Sequence, residues 1–265
     1  MKVRLHEMRW PEIQKAQSKP DHIVILPLGS VEQHGTHLPV NVDSATSAYL
    51  SEKAAEKAAK EHGIAAIVAP TIHYTDVSIH KMFPGTTGVK TDTLISVITD
   101  IVESLLDNGF KKVLVMNSHR QNDCSVEAAL RIAADRRPGA SLFGVDSIDL
   151  GIVPDVKTIK AGLAGMGHAL EVETSQSLVE QPENVCLDKA EIGSRKLPLS
   201  EKFIGVTGMS KSKGILYHPG SKGFEKTGTF GDPCQSSREF GEKVLAAQVD
   251  DLAELIVQIV KGTPG

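Results

Sequence analysis

The chain has 265 residues, of which 40% are hydrophobic and 23% charged, and this composition is typical of a globular protein with a substantial core. A net charge of −4 gives no reason to expect nucleic acid or an anionic membrane as a partner, and three widely spaced cysteines argue against a disulfide framework. No stretch approaches the length of a membrane-spanning helix and residues 1–6 lack the apolar core of a signal peptide, so we expect a cytoplasmic protein.

Strands and helices alternate along the predicted chain. A helix begins near Trp10, where Pro11 suits the first turn, and a buried apolar strand covers residues 22–28. The next helix is expected to have Asp43 or Ser44 as its cap. The full predicted order after the first strand is helix 44–62, strand 64–70, helix 91–108, strand 111–117, helix 123–137, strand 140–145, a helix ending near residue 180, and a final helix to about residue 261 capped by Ser236. This pattern predicts an α/β fold, a three-layer α/β/α sandwich around a mostly parallel sheet, formed by residues 1–265 as a single domain.

Residue types that bind divalent metals follow the first strand. Glu32, His34 and Asp43 lie within twelve positions of one another. In an extended segment residues i and i+2 point to the same side, so Glu32 and His34 can converge on one point while Gln33 faces away. Carboxylate and imidazole ligands together suit zinc, manganese or iron better than calcium. The alternative is a polar loop whose side chains cap a helix and bond to the backbone.

A fourth ligand candidate comes from an independent strand. His119 follows the strand predicted at residues 111–117, and ligands of parallel α/β sheets gather beyond the carboxyl ends of the strands. His119 and the Glu32 loop are therefore expected at the same edge of the sheet. The long loop at residues 71–90, which contains His80, is also more typical of a functional segment than of a simple connection.

Several motifs in a fixed order extend this pattern over nearly the whole chain. They are Pro27-Leu28-Gly29-Ser30-Val31-Glu32-Gln33-His34-Gly35 with Asp43, Ser78-Ile79-His80, Phe83-Pro84-Gly85-Thr86, Asn117-Ser118-His119, His168-Ala169, Glu171-Val172-Glu173-Thr174-Ser175 and Gly231-Asp232-Pro233. With these motifs the chain resembles the creatininase (creatinine amidohydrolase) family of metal-dependent hydrolases of cyclic amides and related C–N bonds. The resemblance implies a creatininase-like fold and a homo-oligomer, a hexamer built from dimers.

The resemblance also implies a metal site. Glu32, Asp43 and His119 would hold one zinc or manganese ion, with iron as a further option, and His34 with the bridging Asp43 would hold a second. The second ion of creatininase takes a glutamate at the position of Gln121, so one or two ions per chain are expected, with Glu173 as a candidate replacement ligand. A metal-activated water would attack the scissile carbonyl, and His168 would supply a proton to the leaving nitrogen. Glu171 would orient His168 or face solvent.

Departures from the family pattern bear on the substrate. Gln121, Leu170 and Ile79 differ from common residues of the family and argue against creatinine. Arg120 would either favour an anionic substrate or pair with Asp123 on the surface, and His80, Arg120 and Gln121 are assigned to substrate binding.

The sequence therefore predicts a metal-dependent amidohydrolase acting on a small-molecule amide, lactam or formamide. A deformylase of a pyrimidine precursor is an alternative within this class. A non-catalytic relative that binds a metal or a small ligand is an alternative outside it.

Overall fold

Four parallel strands form the centre of the molecule. The computed structural model describes residues 2–151, 167–193 and 227–262. Within these ranges the strands are β1 (His22–Leu28), β2 (Ala65–Val68), β3 (Lys112–Asn117) and β4 (Ser141–Asp146), hydrogen-bonded in the order β2-β1-β3-β4. The helices are α1 (Trp10–Gln17), α2 (Val42–His62), α3 (Thr91–Asp107), α4 (Asp123–Arg136), α5 (Glu171–Glu180) and α6 (Arg238–Lys261).

Helices cover both faces of the sheet. The side chains of a strand alternate between its two faces, and β1 divides accordingly. Ile23 and Ile25 pack in a core with α2 and α6, whereas Val24 and Leu26 pack in a second core with α3 and α4. All seven residues of β1 are buried because both faces of the strand are covered. The predicted three-layer α/β/α sandwich is confirmed.

Two helix starts differ from the prediction. Asn41 caps α2, so Asp43 lies inside the first turn and the predicted cap at Asp43 or Ser44 is wrong. Asp43 is buried and directed toward histidines of the site described below. Ser237, not Ser236, caps α6, since its hydroxyl accepts from the Phe240 backbone N–H.

Close packing at the end of β1 positions the loop that follows. Gly29 lies against the first turn of α2, where a Cβ atom would overlap the backbone of Ser44. Its carbonyl accepts from the Thr75 hydroxyl at 2.7 Å and from the Asn122 side chain at 3.1 Å. Gly29 therefore brings the ends of three segments together at the carboxyl edge of the sheet. Within the described ranges, no helix combines the length and the hydropathy that a membrane span requires.

Candidate metal centre

Side chains from three segments converge at the carboxyl edge of the sheet. Glu32 and His34 lie in the loop after β1, Asp43 in the first turn of α2, and His119 two residues beyond β3. His119 Nδ1 lies 2.9 Å from Asp43 Oδ2 and 3.2 Å from Glu32 Oε1, and His34 Nε2 lies 3.2 Å from Asp43 Oδ1. All four residues are buried. Asp43 thus stands between the two histidines, one oxygen toward each.

Hydrogen bonds on the outer side of the ligands set their orientation. His119 Nε2 donates to the carbonyl of Asp76 at 2.9 Å, and His34 Nδ1 donates to the carbonyl of Glu32 at 3.2 Å. A carbonyl can only accept, so the proton of each neutral ring is on the outer nitrogen and the inner nitrogen carries the lone pair. Ser30 Oγ donates to Asp43 Oδ2 at 2.7 Å. Such outer partners are typical of metal-binding histidines and carboxylates.

The electrostatics of the cluster favour a cation. Burial opposes the charge on His34, yet Asp43, with Glu173 and Glu32, raises its pKa to about 10. Burial likewise opposes the charge on His119, and Glu32 and Asp43 raise its pKa well above the usual range. For Asp43, burial raises the pKa, but His34 and His119 hold it well below its ordinary value. The carboxylates therefore favour positive charge at the point where the two rings meet.

The polar atoms at the centre fit a divalent ion. Both carboxylate oxygens of Glu32 and the Nε2 atom of His34 are buried without a hydrogen-bond partner among the described residues. Ligand atoms of Glu32, Asp43 and His119 lie within 4.8 Å of one another, as do those of His34, His168 and Glu173. Buried polar groups are normally satisfied, and a cation bound by these oxygens and nitrogens would satisfy them.

The turn before α5 and the first turn of α5 each add one more predicted residue to the cluster. His168 Nδ1 lies 3.6 Å from Glu32 Oε1, and Glu173 Oε2 lies 3.8 Å from His34 Nε2. The same Glu173 oxygen accepts from the Ala169 backbone N–H at 2.6 Å, where Ala169 adopts a positive φ of 56°. Burial raises the pKa of Glu173 to about 7, and burial together with His80 and His34 lowers that of His168 well below its usual range.

Gln33, which was expected to face away from Glu32 and His34, makes contacts that the sequence did not predict. Its side chain is buried, and its amide lies between His80 and His168. The rings of His80 and His168 stack with centroids 4.2 Å apart. His80 Nε2 is 3.8 Å from Glu32 Oε2, so His80 also borders the cluster.

The remaining predicted site residues have different surroundings. The guanidinium of Arg120 lies 3.3 Å from a carboxylate oxygen of Asp123 and 3.2 Å from one of Asp149, which matches the alternative of a pairing with Asp123. Gln121 is buried, and its amide makes no hydrogen bond within the described part of the chain. Glu171 is buried at the start of α5 and does not face solvent.

Asn117 has a supporting role that the sequence reasoning missed. Its Oδ1 accepts from the His119 backbone N–H at 3.1 Å, and its Nδ2 donates to the His119 carbonyl at 2.9 Å. This reciprocal pair fixes the turn that carries His119. Asp76 was missed as well, because it acts through its backbone carbonyl, to which any residue type could contribute. The place of Asn117 at the end of a strand, two residues before a ligand, was the available signal.

Comparison with known proteins identifies the family. A family model described as "Creatininase: Creatinine amidohydrolase" matches residues 6–256. The chain belongs to the creatininase family. Members of this family are hydrolases, and the resemblance drawn from the motifs is confirmed.

Characterised relatives of this creatininase-family chain have different names. It is 28% identical to a creatinine amidohydrolase of Pseudomonas putida over 201 residues, which are 71% of this chain and 75% of the relative. It is 27% identical to a mycofactocin precursor peptide peptidase of Mycolicibacterium smegmatis over 235 residues, 88% of this chain and 84% of the relative. It is 28% identical to a 3-dehydro-scyllo-inosose hydrolase of Thermotoga maritima over 258 residues, 91% of this chain and 79% of the relative.

Solved structures share the fold. A structure named "Creatininase Mn" superposes with a TM-score of 0.79 at 23% identity, covering 97% of this chain and 98% of the other. A mutant creatininase of "Zn-Zn type" superposes with a TM-score of 0.80 at 24% identity, with the same coverage. At these identities the likeness demonstrates a common fold.

Proposed function

We propose that this creatininase-family protein is a metal-dependent hydrolase that cleaves a C–N bond of a small amide, lactam or formamide. One observation supports it above the others. Three separate segments bring the buried side chains of four residues together: Glu32, His34, Asp43 and His119. Both carboxylate oxygens of Glu32 and the Nε2 atom of His34 have no hydrogen-bond partner within the described residues. A polar loop that merely caps a helix would not gather ligands from an independent strand.

The donor set supports two adjacent ion positions. Glu32, Asp43 and His119 would hold the first ion, and His34, the other oxygen of Asp43 and Glu173 the second. Zinc or manganese is the proposed metal, with iron as a further option, because mixed carboxylate and imidazole ligands suit these ions and two related structures are named for Mn and Zn. When bound, such ions lower the pKa of a water molecule and polarise a carbonyl oxygen.

His168 is the group we assign to proton transfer. Its Nε2 donates to the carbonyl of Gln33 at 2.7 Å, so a neutral ring has its lone pair on Nδ1, the nitrogen near Glu32. The low pKa of His168 keeps the ring neutral and able to accept a proton from the attacking water. The same nitrogen would then return that proton to the leaving nitrogen, which is the donor role that the resemblance implies for His168. Glu171 would support the turn that carries His168.

The proposed substrate is an amide other than creatinine. Relatives are named for creatinine, a precursor peptide and an inosose, so the family has no single substrate. Gln121 offers a buried amide without a partner in the described ranges, and we assign it with His80 to substrate binding. Arg120 is engaged by Asp123 and Asp149, and these contacts do not support a role in binding an anionic substrate.

Metal content and turnover test the proposal together. Protein purified without chelator and then incubated with zinc, manganese or iron is dialysed, and metal per chain is measured for the wild type, His119→Ala and the control His73→Ala. His73 is an exposed histidine outside the cluster. We expect one or two ions in the wild type and in the control, and a loss in His119→Ala. Turnover is then measured on a panel of lactams, formamides, short peptides and creatinine.

The outcomes separate the alternatives. Absence of metal in the wild type after incubation with all three ions would refute the proposal and leave a binding protein on a hydrolase fold. Metal without turnover of any amide would leave a non-catalytic metal-binding relative. Turnover of creatinine as the best substrate would contradict the assignment of substrate class alone.

A further inference from the structure

The side chain of Gln33 connects two histidines of the site through a fixed set of hydrogen bonds. Its Oε1 accepts from the Gly35 backbone N–H at 2.8 Å. A backbone N–H can only donate, so this bond identifies which end of the amide is oxygen and which is nitrogen. Nε2 is therefore a donor, and it lies 3.1 Å from the carbonyl of Gly228 and 2.9 Å from His80 Nδ1. The two amide hydrogens have these two acceptors.

The donor at Gln33 determines the proton position on His80. Since Nε2 of Gln33 donates to Nδ1 of His80, Nδ1 must carry a lone pair, and the proton of the neutral ring is on Nε2. That Nε2–H lies toward Glu32 Oε2, at 3.8 Å. His80 thus presents a donor to one oxygen of a carboxylate that we assign to a metal ion.

The backbone of Gln33 determines the proton position on His168. The carbonyl of Gln33 lies 2.7 Å from His168 Nε2, and because a carbonyl only accepts, Nε2 must be protonated. The side-chain nitrogen of Gln33 is also 2.9 Å from this Nε2. Because His168 Nε2 donates to the carbonyl, it cannot also accept from this nitrogen, and we assign no hydrogen bond to the pair. The lone pair of His168 is then on Nδ1, at 3.6 Å from Glu32 Oε1.

We propose that Gln33 is a positioning residue that sets the tautomers of both rings, with the proton of His80 and that of His168 each on Nε2. The inference rests on the proposed function in one respect, that the Nδ1 lone pair of His168 is the group that accepts the proton of water. Gln33 would act through the two histidines and is not assigned to bind substrate or ion. The side-chain amide and the backbone carbonyl of Gln33 therefore set the proton positions of the two rings that lie near the two oxygens of Glu32.

Gly228 keeps the amide in this place. It adopts a positive φ of 70°, and a Cβ atom there would overlap the amide of Gln33. Only glycine combines this backbone conformation with the space that the amide needs. The segment around residue 228 therefore completes the arrangement from a distant part of the sequence.

Ring protonation can be measured directly by solid-state NMR of protein labelled with 15N-histidine, which does not depend on the size of an oligomer. The ring signals are assigned with His80→Gln and His168→Gln, and metal content is measured on the same samples. For the wild type we expect both rings protonated on Nε2, with Nδ1 unprotonated on His80. A proton on Nδ1 of His80 in the wild type would overturn the proposal, and this result requires no variant of Gln33 to fold.

The variant Gln33→Glu tests whether the amide donor of Gln33 sets the proton position on His80. A carboxylate keeps the shape of the amide but cannot donate, so we expect the proton of His80 to move to Nδ1, while metal per chain stays at the wild-type value. If a substrate is found, kcat should fall about 10-fold to 100-fold, and KM should change as well because His80 is assigned to substrate binding. The matched control is Gln176→Glu, which makes the same change at a buried amide that donates to Gln248. Unchanged tautomers in a folded Gln33→Glu would overturn the proposal.

These readouts are independent of turnover. If the predicted tautomers are found but no amide is hydrolysed, the proposed function fails and the role of Gln33 stands. If hydrolysis is found with the opposite tautomers, the role of Gln33 fails and the hydrolase stands.

Discussion

Glu173 makes two contacts in the structure that substitution can separate. Its Oε2 lies 3.8 Å from His34 Nε2, where we propose an ion, and the same atom accepts from the Ala169 backbone N–H at 2.6 Å. Glu173→Gln keeps an acceptor for Ala169 and removes the charge. Glu173→Ala removes both. A ligand role predicts loss of metal in both variants, and a structural role predicts loss of stability only in the alanine variant.

The expected size of the structural effect follows from the turn. A hydrogen bond to a charged group is worth about 1.5–3 kcal/mol, and this one holds Ala169 in the left-handed region, which alone costs a non-glycine residue about 1–2 kcal/mol. We therefore expect Glu173→Ala to lower the free energy of unfolding of the metal-free protein by about 1.5–3 kcal/mol. At about 2–4 °C per kcal/mol, the midpoint of thermal unfolding should fall by about 3–12 °C. Glu173→Gln should lose no stability, because burial raises the pKa of Glu173 to about 7 and the amide removes a buried charge.

The assays are calorimetry of chelator-treated protein and metal content after equilibrium dialysis. If two ions bind to the wild type, both variants should retain about one. Glu180→Gln, on the same helix but bonded to Thr46, is the control and should keep both ions. Two ions in Glu173→Gln at unchanged affinity would refute the ligand role. Restoration of the second ion by Gln121→Glu in the Glu173→Gln background would support it, since a carboxylate at residue 121 would then replace the lost one.

Three further predictions concern other parts of the molecule. Gly29→Ala should lower the free energy of unfolding by about 1–3 kcal/mol, because its Cβ atom would overlap the backbone of Ser44; an unchanged denaturation midpoint would contradict this packing. Burial raises the pKa of Glu180 to about 8, so its contribution to stability is present below its ordinary pKa and is lost as the pH rises toward 8. Between its ordinary pKa and pH 8, the free energy of unfolding of Glu180→Gln should therefore rise relative to the wild type by up to about 1.4 kcal/mol per pH unit. A difference that does not depend on pH in denaturant titrations would contradict this prediction. Arg120→Ala should lower the free energy of unfolding by less than about 1 kcal/mol and should change KM equally for anionic and neutral substrates. A rise in KM for anionic substrates alone would restore the substrate-binding role of Arg120.

Much of the fold was predictable because the strands are buried on both faces. Continuous apolar runs gave β1 at its observed bounds and placed β3 and β4 to within one residue at each end. Helix starts were less predictable. The polar residues near Asp43 could each serve as a cap, and no local pattern distinguishes Asn41, which caps α2.

The candidate site was predictable where it follows from topology. Parallel strands place their carboxyl ends at one edge, and this rule alone brought His119 to the Glu32 loop. The contact between Glu173 and Ala169 was not predictable, because it depends on the positive φ of Ala169. The structure describes one chain, so the homo-oligomer stays a prediction.

Gln33 shows where the rule of alternating side chains stops short. The rule predicts that Glu32 and His34 share one side and that Gln33 occupies the other. The rule does not say what Gln33 contacts, and here it contacts His80 and His168, which border the same cluster as Glu32. The tripeptide Glu32-Gln33-His34 therefore supplies two proposed metal ligands and one residue proposed to position two histidines. Substitution of Glu32 or His34 should change the metal content, whereas substitution of Gln33 should leave the metal in place and change where the protons are.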